Sequence, residues 1–349
     1  MLKKEIVTLV IGSGAGGLGA AVWLKHKSYS HQYMGEDIYN KNAFMVVDGC
    51  DKLPMNMHNG VHYLHSVPTL PFESGCKKIT LTDGILYNGC ITHEPNLNLS
   101  LLYSEKVREF QHPSSIMNIG KYNSVFMPKG NSVNDLLEDC YKFAGFENFN
   151  FGYWIESIDV ALKIAIFRKG DEIFQVHYKN LITTIPLNVL SKMLKIDWID
   201  SLELKCSPVH VSNFEVEKIV PNWMINLYVP DLSTPVYRAS ILNGICSVES
   251  IRPLTKHELH SVRDTLSMFH FKEEEPKTFT WNTGKVVSID MDDREKLVEI
   301  LKSHGIYSIG RFGLWNRKLL VDSTINQAKS VVDHLYGEEW TITKDKLVK

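Results

Sequence analysis

The clearest hydrophobic pattern lies at the start of the chain, where an unbroken apolar run leads into a glycine-rich turn. Residues 6–11 predict a buried strand, and residues 15–27 predict the helix that follows it. Gly12, Gly14 and Gly17 occupy the G-x-G-x-x-G positions at the junction. The first glycine permits a tight turn, the second lets a pyrophosphate approach the backbone, and the third lets the helix pack on the sheet. The pattern predicts a dinucleotide-binding turn at a helix N-terminus, completed by Ser13, Ala15 and Gly16.

A site of this kind also needs an acidic residue at the end of the second strand, where it binds the adenosine ribose about 20 residues after the glycines. Two residues compete for this role. Glu36 lies close to the conventional distance, but the strand that would carry it is weak. Asp48 lies farther along the chain, which requires an insertion, and it ends the strongly apolar segment 43–47. We favour Asp48 and keep Glu36 as the alternative.

The middle of the chain predicts alternating strands and helices, without repeats or low-complexity tracts. A helix is predicted over 131–141 with Ser132 as its N-cap, because a polar residue precedes an apolar stripe at helical spacing. Residues 71–125 carry short apolar segments without clear periodicity. The other predicted elements are a short strand at 61–64, a β-meander over 151–178, a buried strand at 180–186, strands over 204–250, and helices at 254–268 and 293–303.

The C-terminal region contains a second strong pattern. It predicts a strand at 306–309, a glycine-containing loop at 310–315 and an amphipathic helix at 323–335. Asp322 or Ser323 is positioned to cap that helix.

Four segments accompany the glycine turn in a recognisable order. They are Phe-Met-Pro-Lys-Gly at 126–130, a strand leaving at a proline at 181–187, Pro-Val-Tyr-Arg-Ala-Ser at 235–240, and Gly-Arg-Phe-Gly-Leu-Trp at 310–315 followed by Asp322. In this combination the chain resembles the flavin amine oxidase, protoporphyrinogen oxidase and UDP-galactopyranose mutase superfamily. The resemblance implies an α/β fold, with a Rossmann-like FAD-binding domain of glutathione-reductase type and a smaller, discontinuous α+β substrate or cap domain. The expected FAD-binding domain comprises 1–70, 126–200 and 286–349, and the cap comprises 71–125 and 201–285.

The resemblance also implies that FAD is the cofactor, because in this superfamily the C-terminal strand–loop–helix unit returns to the dinucleotide site. Gly310 and Gly313 would permit close backbone approach, and Arg311 would meet the pyrophosphate or the isoalloxazine. The helix after Asp322 would present its N–H groups to the ribityl chain. Thr183, Phe312 and Trp315 complete the expected cofactor-binding set, with simple packing as the alternative for the two aromatic residues.

The histidine-rich segment 57–65 raises the question of a metal site. The strand predicted at 61–64 would point His62 and His65 to opposite faces, and no cysteine or carboxylate stands at ligand spacing, so no metal is expected. The resembling mutases carry a similar Gly-x-His segment beside the isoalloxazine. By that resemblance Gly60, Val61 and His62 are expected to face the flavin.

The candidates for substrate binding and catalysis are fewer. Tyr237 and Arg238 lie in the segment that resembles a substrate-domain strand, and an arginine can grip phosphate or carboxylate with two hydrogen bonds. A solvated strand-edge charge is the alternative for Arg238. Trp281 is a candidate for stacking on substrate or cofactor, and Lys285 for holding a water near the reactive flavin nitrogen. Ordinary structural roles are the alternatives for both.

Composition excludes fewer classes of function than the motifs do. A net charge of -2 and a pI near 6.7 provide no bulk attraction to nucleic acid or anionic membranes. Six scattered cysteines favour reduced thiols and a cytoplasmic location. The apolar strand begins too early to follow a signal peptide, and its glycines argue against a membrane span over 6–24.

The first functional hypothesis is an FAD-dependent oxidoreductase of amine-oxidase type, which oxidises a C–H bond adjacent to nitrogen in a soluble substrate. An amino-acid-modified DNA base in a phage hypermodification pathway is one candidate substrate, although the chain has no DNA-binding motif. A redox-neutral nucleotide-sugar mutase is the alternative enzyme. Such a mutase needs several arginines to bind the diphosphate of its substrate, and the two candidates in the cap, Arg238 and Arg252, are few for that task. A non-catalytic FAD-binding scaffold or redox sensor is the third hypothesis.

Overall fold

The structure is a computed structural model that describes residues 2–33, 44–53, 62–107, 114–129, 132–217 and 222–337. The predictions on Glu36, Gly60 and Val61 lie outside these residues. Across the described ranges, fifteen strands form two sheets. The strands are β1 (Leu2–Ile11), β2 (Phe44–Asp48), β3 (Lys77–Tyr87), β4 (Cys90–Thr92), β5 (Ser124–Met127), β6 (Phe149–Phe151), β7 (Trp154–Asp159), β8 (Ile164–Lys169), β9 (Glu172–Thr183), β10 (Cys206–Glu215), β11 (Trp223–Tyr228), β12 (Val236–Leu242), β13 (Ile245–Ser250), β14 (Lys277–Val286) and β15 (Ile306–Ser308).

The same ranges contain ten α-helices, of which three span only a single turn. The helices are α1 (Ala15–Tyr33), α2 (Leu97–Val107), α3 (Ser114–Met117), α4 (Val133–Ala144), α5 (Leu187–Leu194), α6 (Asp197–Asp200), α7 (Lys256–Thr265), α8 (Met291–Ser303), α9 (Gly310–Gly313) and α10 (Val321–Leu335).

The first sheet has the strand order β6-β2-β1-β9-β8-β7, and β15 also pairs with β9. Strand β1 is parallel to β2 and β9, and β15 is parallel to β9. Leu9 packs into the core on one face of this sheet, while Val10 packs with α1 and α10 on the other. A parallel strand covered on both faces reads as a continuous apolar run, which is why the sequence predicted β1 clearly. The α/β fold class is confirmed.

The second sheet has the order β14-β10-β13-β12-β11-β3-β4, and β5 pairs with β3. It is mostly antiparallel, with one parallel pair between β3 and β11. Helix α7 covers part of one face, where Val262 is buried beside Val248 and Ile241. The predicted domain boundary at residue 126 falls inside β5, which belongs to this sheet.

Several predicted elements differ in their bounds. Helix α4 begins at Val133 and is capped as predicted, because Ser132 Oγ accepts the N–H of Asn134. Helix α10 begins two residues earlier than predicted, at Val321, because Ser323 Oγ accepts the N–H of Leu320. The meander and the buried strand after it share one strand, β9, instead of two separate ones.

Two local predictions were wrong. Residues 62–64 do not form a strand; Leu64 makes only an isolated bridge to Phe126. The strand argument about His62 and His65 therefore does not hold. Residues 310–313 form the short helix α9 where a loop was predicted, because the N–H of Leu314 closes a turn on the carbonyl of Gly310.

All six cysteines are free in the structure, with Cys140 and Cys246 buried. Among the described helices, none combines the length and the apolar character needed to cross a membrane.

Candidate functional site

The glycine turn between β1 and α1 has one closed side and one open side. Gly12 adopts a φ of +98° and donates its N–H to the carbonyl of Val47 at 2.9 Å. A Cβ on Gly17 would lie 1.8 Å from the carbonyl oxygen of Gly12, so the helix can approach the turn only because residue 17 has no side chain. Gly14 is exposed, and a Cβ there would meet no heavy atom within 4 Å. The turn therefore presents bare backbone to open space at the N-terminus of α1.

Asp48 stands beside this turn at the end of β2. Its Oδ2 accepts the Ser13 N–H at 2.6 Å and the Ser13 hydroxyl at 2.8 Å, while its Oδ1 accepts the N–H of Cys50 at 2.8 Å. Asp48 is half-buried, and through Ser13 it is tied to the residue that directly precedes the exposed Gly14. This is the position that the sequence predicted for the ribose-binding acid, whereas Glu36 lies in an undescribed range.

The C-terminal unit closes on the same turn. Strand β15 pairs with the end of β9, and Gly310, with a φ of +83°, donates its N–H to Gln327 Oε1 at 2.9 Å. A Cβ on Gly16 would meet Thr324 of α10 at 3.1 Å and Ile309 at 3.2 Å. The two glycine-containing segments, from opposite ends of the chain, are therefore in contact.

Asp322 lies in the first turn of α10 and is 4 % exposed. Its Oδ2 accepts the N–H of Ser66 at 2.9 Å and the Ser66 hydroxyl at 2.6 Å. Its Oδ1 is buried and has no hydrogen-bond partner among the described residues. A buried carboxylate oxygen without a donor is costly in water-free surroundings, so this oxygen is a candidate acceptor for a ligand hydroxyl.

Three predicted cofactor residues lie in packed surroundings. Trp315 is fully buried in the core below the first sheet and donates its indole N–H to the carbonyl of Lys205 at 3.1 Å, so the packing alternative is the correct one. Phe312 packs against the same core. Thr183 is fully buried, and its hydroxyl oxygen accepts the N–H of Ile185 at 3.1 Å.

Thr184, which the sequence analysis missed, is the threonine that contacts the glycine turn. A Cβ on Gly12 would lie 2.0 Å from its Oγ1, and that hydroxyl donates to the carbonyl of Ile11 at 3.2 Å. Thr184 directly follows the last residue of β9, and neighbouring residues of an extended chain point to opposite sides, so it points away from Thr183.

A cluster of charged side chains lies on the hairpin formed by β12 and β13. Asn243 and Gly244, with φ values of 50° and 79°, form its two-residue turn. Counting back from that turn pairs Arg238 directly with Glu249 across the strands. A register shift between Val236 and Arg238 marks a β-bulge. The bulge lets Tyr237 and Arg238, adjacent in sequence, reach the same carboxylate.

We call Glu249, Tyr237, Arg238 and Lys285 the Glu249 cluster. The Tyr237 hydroxyl donates to Glu249 Oε2 at 2.5 Å, and Arg238 Nη2 pairs with Oε1. Lys285 Nζ lies 3.7 Å from Oε2 and 3.9 Å from the centre of the Tyr237 ring. Arg238 is therefore not the solvated strand-edge charge of the alternative interpretation, because it is tied to a buried carboxylate.

The charged residues of the cluster shift each other's pKa values. Burial alone would raise the pKa of Glu249, but the charges of Arg238 and Lys285 outweigh it and hold that pKa at about 2. Burial lowers the pKa of Lys285 to about 8; Glu249 opposes that change, and the charges of Arg238 and Arg311 add to it. The lysine is thus placed to titrate near neutral pH.

The charges of the cluster also act on His62 and Arg311, which belong to two other segments. Burial lowers the pKa of His62 to about 4, with Glu249 opposing and the charges of Arg238 and Arg311 reinforcing the effect. Burial also lowers the pKa of Arg311, whose Nε donates to the carbonyl of Leu319 at 3.1 Å. Arg311 belongs to the C-terminal unit that closes the glycine turn, so the cluster lies at the junction of the two sheets.

Polar and aromatic residues that the sequence analysis missed surround the cluster. Ser240 Oγ donates to Asn226 Oδ1 at 2.8 Å, and Asn226 Nδ2 donates to Asp83 Oδ1 at 3.1 Å. The rings of Tyr103 and Tyr228 meet edge-to-face at 5.6 Å. These residues come from β3, α2, β11 and β12, and only the strand pairing brings them together.

Trp281 is the predicted catalytic residue that the structure does not bring into this arrangement. It lies on β14 opposite Val209, and 47 % of its side chain is exposed. Within the described ranges, no group of three or more histidine, cysteine or acidic side chains is arranged to hold a metal ion.

Comparisons with family models and with curated proteins found no match for this chain. Solved structures do match it. A reduced UDP-galactopyranose mutase aligns with a TM-score of 0.68 at 18% identity, covering 95% of this chain and 94% of that one. A CLA-producing fatty acid isomerase from P. acnes gives a TM-score of 0.60 at 12% identity, with coverage of 94% and 98%. Wild-type putrescine oxidase gives 0.58 at 8% identity, with coverage of 96% and 100%.

The chain has the fold of these proteins. The fold resemblance that the motifs indicated is confirmed over nearly the whole length of the chain. At these low identities the likeness establishes the fold, and the reaction has to be argued from the site itself.

Proposed function

We propose that this chain is an FAD-dependent oxidoreductase of amine-oxidase type, which oxidises a C–H bond adjacent to nitrogen in a small-molecule substrate. The observation that carries the proposal is the Glu249 cluster itself, in which Lys285 Nζ lies 3.7 Å from the buried Glu249 carboxylate and directly precedes Val286 of the first sheet's core. Bound FAD supplies the hydride acceptor, so the protein has to orient the substrate and move a proton.

The N-terminal half of the site fits the adenosine diphosphate part of FAD. The exposed backbone of Gly14 leaves room for a pyrophosphate, and the partial positive charge at the N-terminus of α1 favours it. Asp48 lies next to that turn and would accept hydrogen bonds from the ribose. Gly12, Gly16 and Gly17 serve this arrangement indirectly, by closing the turn against the sheet and α10.

The C-terminal half fits the flavin part. Asp322 Oδ1 is buried, and none of the described residues donates to it, as expected for an acceptor that a ribityl hydroxyl would satisfy. Gly310 and Gly313 let the backbone around Arg311 pack closely, because a Cβ would lie 3.3 Å from Thr324 at the first and 2.7 Å from Ser308 Oγ at the second. The charges of Arg238 and Glu249 act on Arg311. A substrate held between the flavin and this cluster would lie within reach of Lys285.

Lys285 has the properties of a proton-transfer group. Its pKa of about 8 lies near neutral pH, where general acid–base groups work best. The next residue, Val286, is already buried in the core of the first sheet, so the lysine stands at the crossing between the two halves of the molecule. An amine substrate must lose a proton before it is oxidised, and the neutral form of Lys285 would accept that proton on Nζ and become an ammonium beside Glu249.

A nucleotide-sugar mutase is supported less well by the same residues. Such an enzyme needs cationic side chains for a diphosphate, and Arg238 is paired with Glu249 while Arg252 pairs with Glu258 at 2.6 Å. None of the three neighbours described above is named for a nucleic-acid substrate, so we leave a modified DNA base out of the proposal.

The test is anaerobic reduction of the flavin in the purified protein, followed through its visible absorption. We expect small amines or amino compounds to bleach the flavin, and oxygen to restore it with release of peroxide. Turnover of UDP-galactopyranose only after reduction with dithionite, with no bleaching by any amine, would replace the oxidase with the mutase.

A matched pair of variants tests the role of Lys285. Lys285→Met should retain FAD and lose about 10²- to 10⁴-fold in the rate of flavin reduction, as expected for removal of a proton-transfer group. Lys272→Met removes an exposed lysine of the second sheet's surface, paired with Glu215 at 2.8 Å, and should leave that rate unchanged. Equal rates in both variants would refute the assignment.

A further inference from the structure

We propose that Glu249 is the positioning residue of this site: it holds Tyr237, Arg238 and Lys285 in one arrangement and stabilises the charged form of the lysine amine. The part of the inference that concerns catalysis rests on the proposed function. The part that concerns the charge of Lys285 does not, and it is tested separately below.

Both carboxylate oxygens of Glu249 are engaged. Oε1 pairs with Arg238, and Oε2 accepts the Tyr237 hydroxyl at 2.5 Å while facing Lys285 Nζ at 3.7 Å. The glutamate itself is 6 % exposed, so these contacts replace its hydration. Three side chains from β12 and β14 thus share a single anion on β13.

The backbone geometry is adapted to this arrangement. Adjacent strand residues normally point to opposite faces, and the β-bulge at Tyr237 overrides that rule so that Tyr237 and Arg238 converge on Glu249. The lysine ammonium then lies between the carboxylate and the face of the Tyr237 ring, 3.9 Å from its centre. A glutamate that only neutralised Arg238 would require neither the bulge nor the stacked lysine.

The charges that face Lys285 come from three elements. Glu249 of β13 is the anion, and Arg238 of β12 and Arg311 of α9 are cations. His62 also faces this cluster, and its pKa of about 4 makes it neutral at pH 7. With two cations and burial all favouring the neutral amine, Glu249 is the group among the described residues that opposes them.

The experiment measures the titration of Lys285 directly in the full-length protein with its bound cofactor. Lysine amines are labelled by reductive methylation with carbon-13 and followed by NMR against pH, and Lys285→Arg identifies the resonance. Glu249→Gln preserves shape and removes the charge; we expect it to lower the pKa of Lys285 from about 8 by about one to three pH units. Glu258→Gln, which removes the half-buried carboxylate on helix α7 that pairs with Arg252, should leave the resonance unchanged.

A second variant should shift the pKa of Lys285 in the opposite direction. Arg238→Gln removes a like charge, so the pKa of Lys285 should rise. If Glu249 had a purely structural role, the two variants would not shift the pKa of Lys285 in opposite directions. If Glu249→Gln does not fold, Glu249→Asp takes its place: it keeps the carboxylate but draws it back by one methylene, so the pKa of Lys285 should fall, and an unchanged or raised value overturns the inference.

The two proposals fail in distinguishable ways. A protein that binds no flavin contradicts the proposed function and leaves the titration readable. A normal flavoprotein whose Lys285 resonance titrates identically in wild type and Glu249→Gln overturns the role of Glu249 alone.

Discussion

Alanine substitutions at Gly17 and Gly14, two glycines of the same turn, should produce different defects: loss of stability at the first and loss of FAD binding at the second. Gly17→Ala places a Cβ 1.8 Å from the carbonyl oxygen and 2.8 Å from the carbonyl carbon of Gly12, both of them backbone atoms. Gly14→Ala places its Cβ in open space at an exposed position. The first substitution should damage the fold, and the second should damage only what binds outside it.

The magnitudes follow from these contacts. At Gly17 the turn and the helix must separate by about 1 Å or more, which as an overpacking cost is about 1–3 kcal/mol of unfolding free energy. At Gly14 an exposed substitution without clashes should change that free energy by about 0.5 kcal/mol or less. The added methyl group would, however, keep a phosphate from the backbone N–H groups. Losing one charge-assisted hydrogen bond costs about 1.5–3 kcal/mol, or about 10- to 150-fold in the Kd for FAD.

Two assays separate the effects. Urea unfolding measures stability, and titration of FAD into the flavin-free protein, followed by quenching of flavin fluorescence, measures affinity. We expect Gly14→Ala to retain wild-type unfolding and to lose FAD affinity. Wild-type FAD affinity in Gly14→Ala would refute the placement of the pyrophosphate at this turn.

Three further predictions address other parts of the site. Asp48→Asn weakens three hydrogen bonds, two of them from Ser13, and should lower stability by about 1–2 kcal/mol and weaken FAD binding in the same titration; unchanged affinity would remove Asp48 from the ribose site. Trp315→Ala empties a fully buried site and should cost about 3–5 kcal/mol in urea unfolding, whereas a nearly neutral effect would contradict its place in the core. Because the pKa of Glu249 is held at about 2, below its ordinary 4.5, its contribution to stability is present above pH 4.5 and is lost as the pH falls towards 2. The loss of stability in this window, measured by urea unfolding, should be smaller in Glu249→Gln, and an equal loss in both proteins would contradict the ion pairing.

The parts of the site that could be predicted are those encoded by local patterns. The glycine turn, the strand that ends at Asp48 and the C-terminal unit each occupy a short segment in which apolar periodicity and glycine spacing suffice. Their mutual contact followed only from the resemblance, since no local rule brings Gly16 next to Thr324.

The parts that were missed depend on pairing between strands. Glu249 lies in an otherwise apolar and small-residue strand, and its role depends on the register set by the turn at Asn243 and on the bulge at Tyr237. The turn could have been read from the sequence, but the bulge could not. Strand β3 was not predicted because its side chains do not alternate regularly between buried and exposed. They alternate at its start, whereas near its end consecutive residues are buried on both faces.

Trp315 shows the opposite error: a core residue was predicted to belong to the site. An aromatic residue in a cofactor motif was assigned to the cofactor, yet its indole N–H is satisfied by the carbonyl of Lys205 in the core. Sequence alone does not distinguish a tryptophan that packs from one that binds a ligand, because both roles use the same apolar surface.

The most direct test of the central claim is the flavin content of the purified full-length chain. The protein is denatured, and the released cofactor is identified by chromatography and quantified against the chain. The site described here predicts one FAD per chain, released by denaturation, and reduced before release when an amine substrate is added anaerobically. A chain that carries no flavin and takes up none from added FAD would contradict the account.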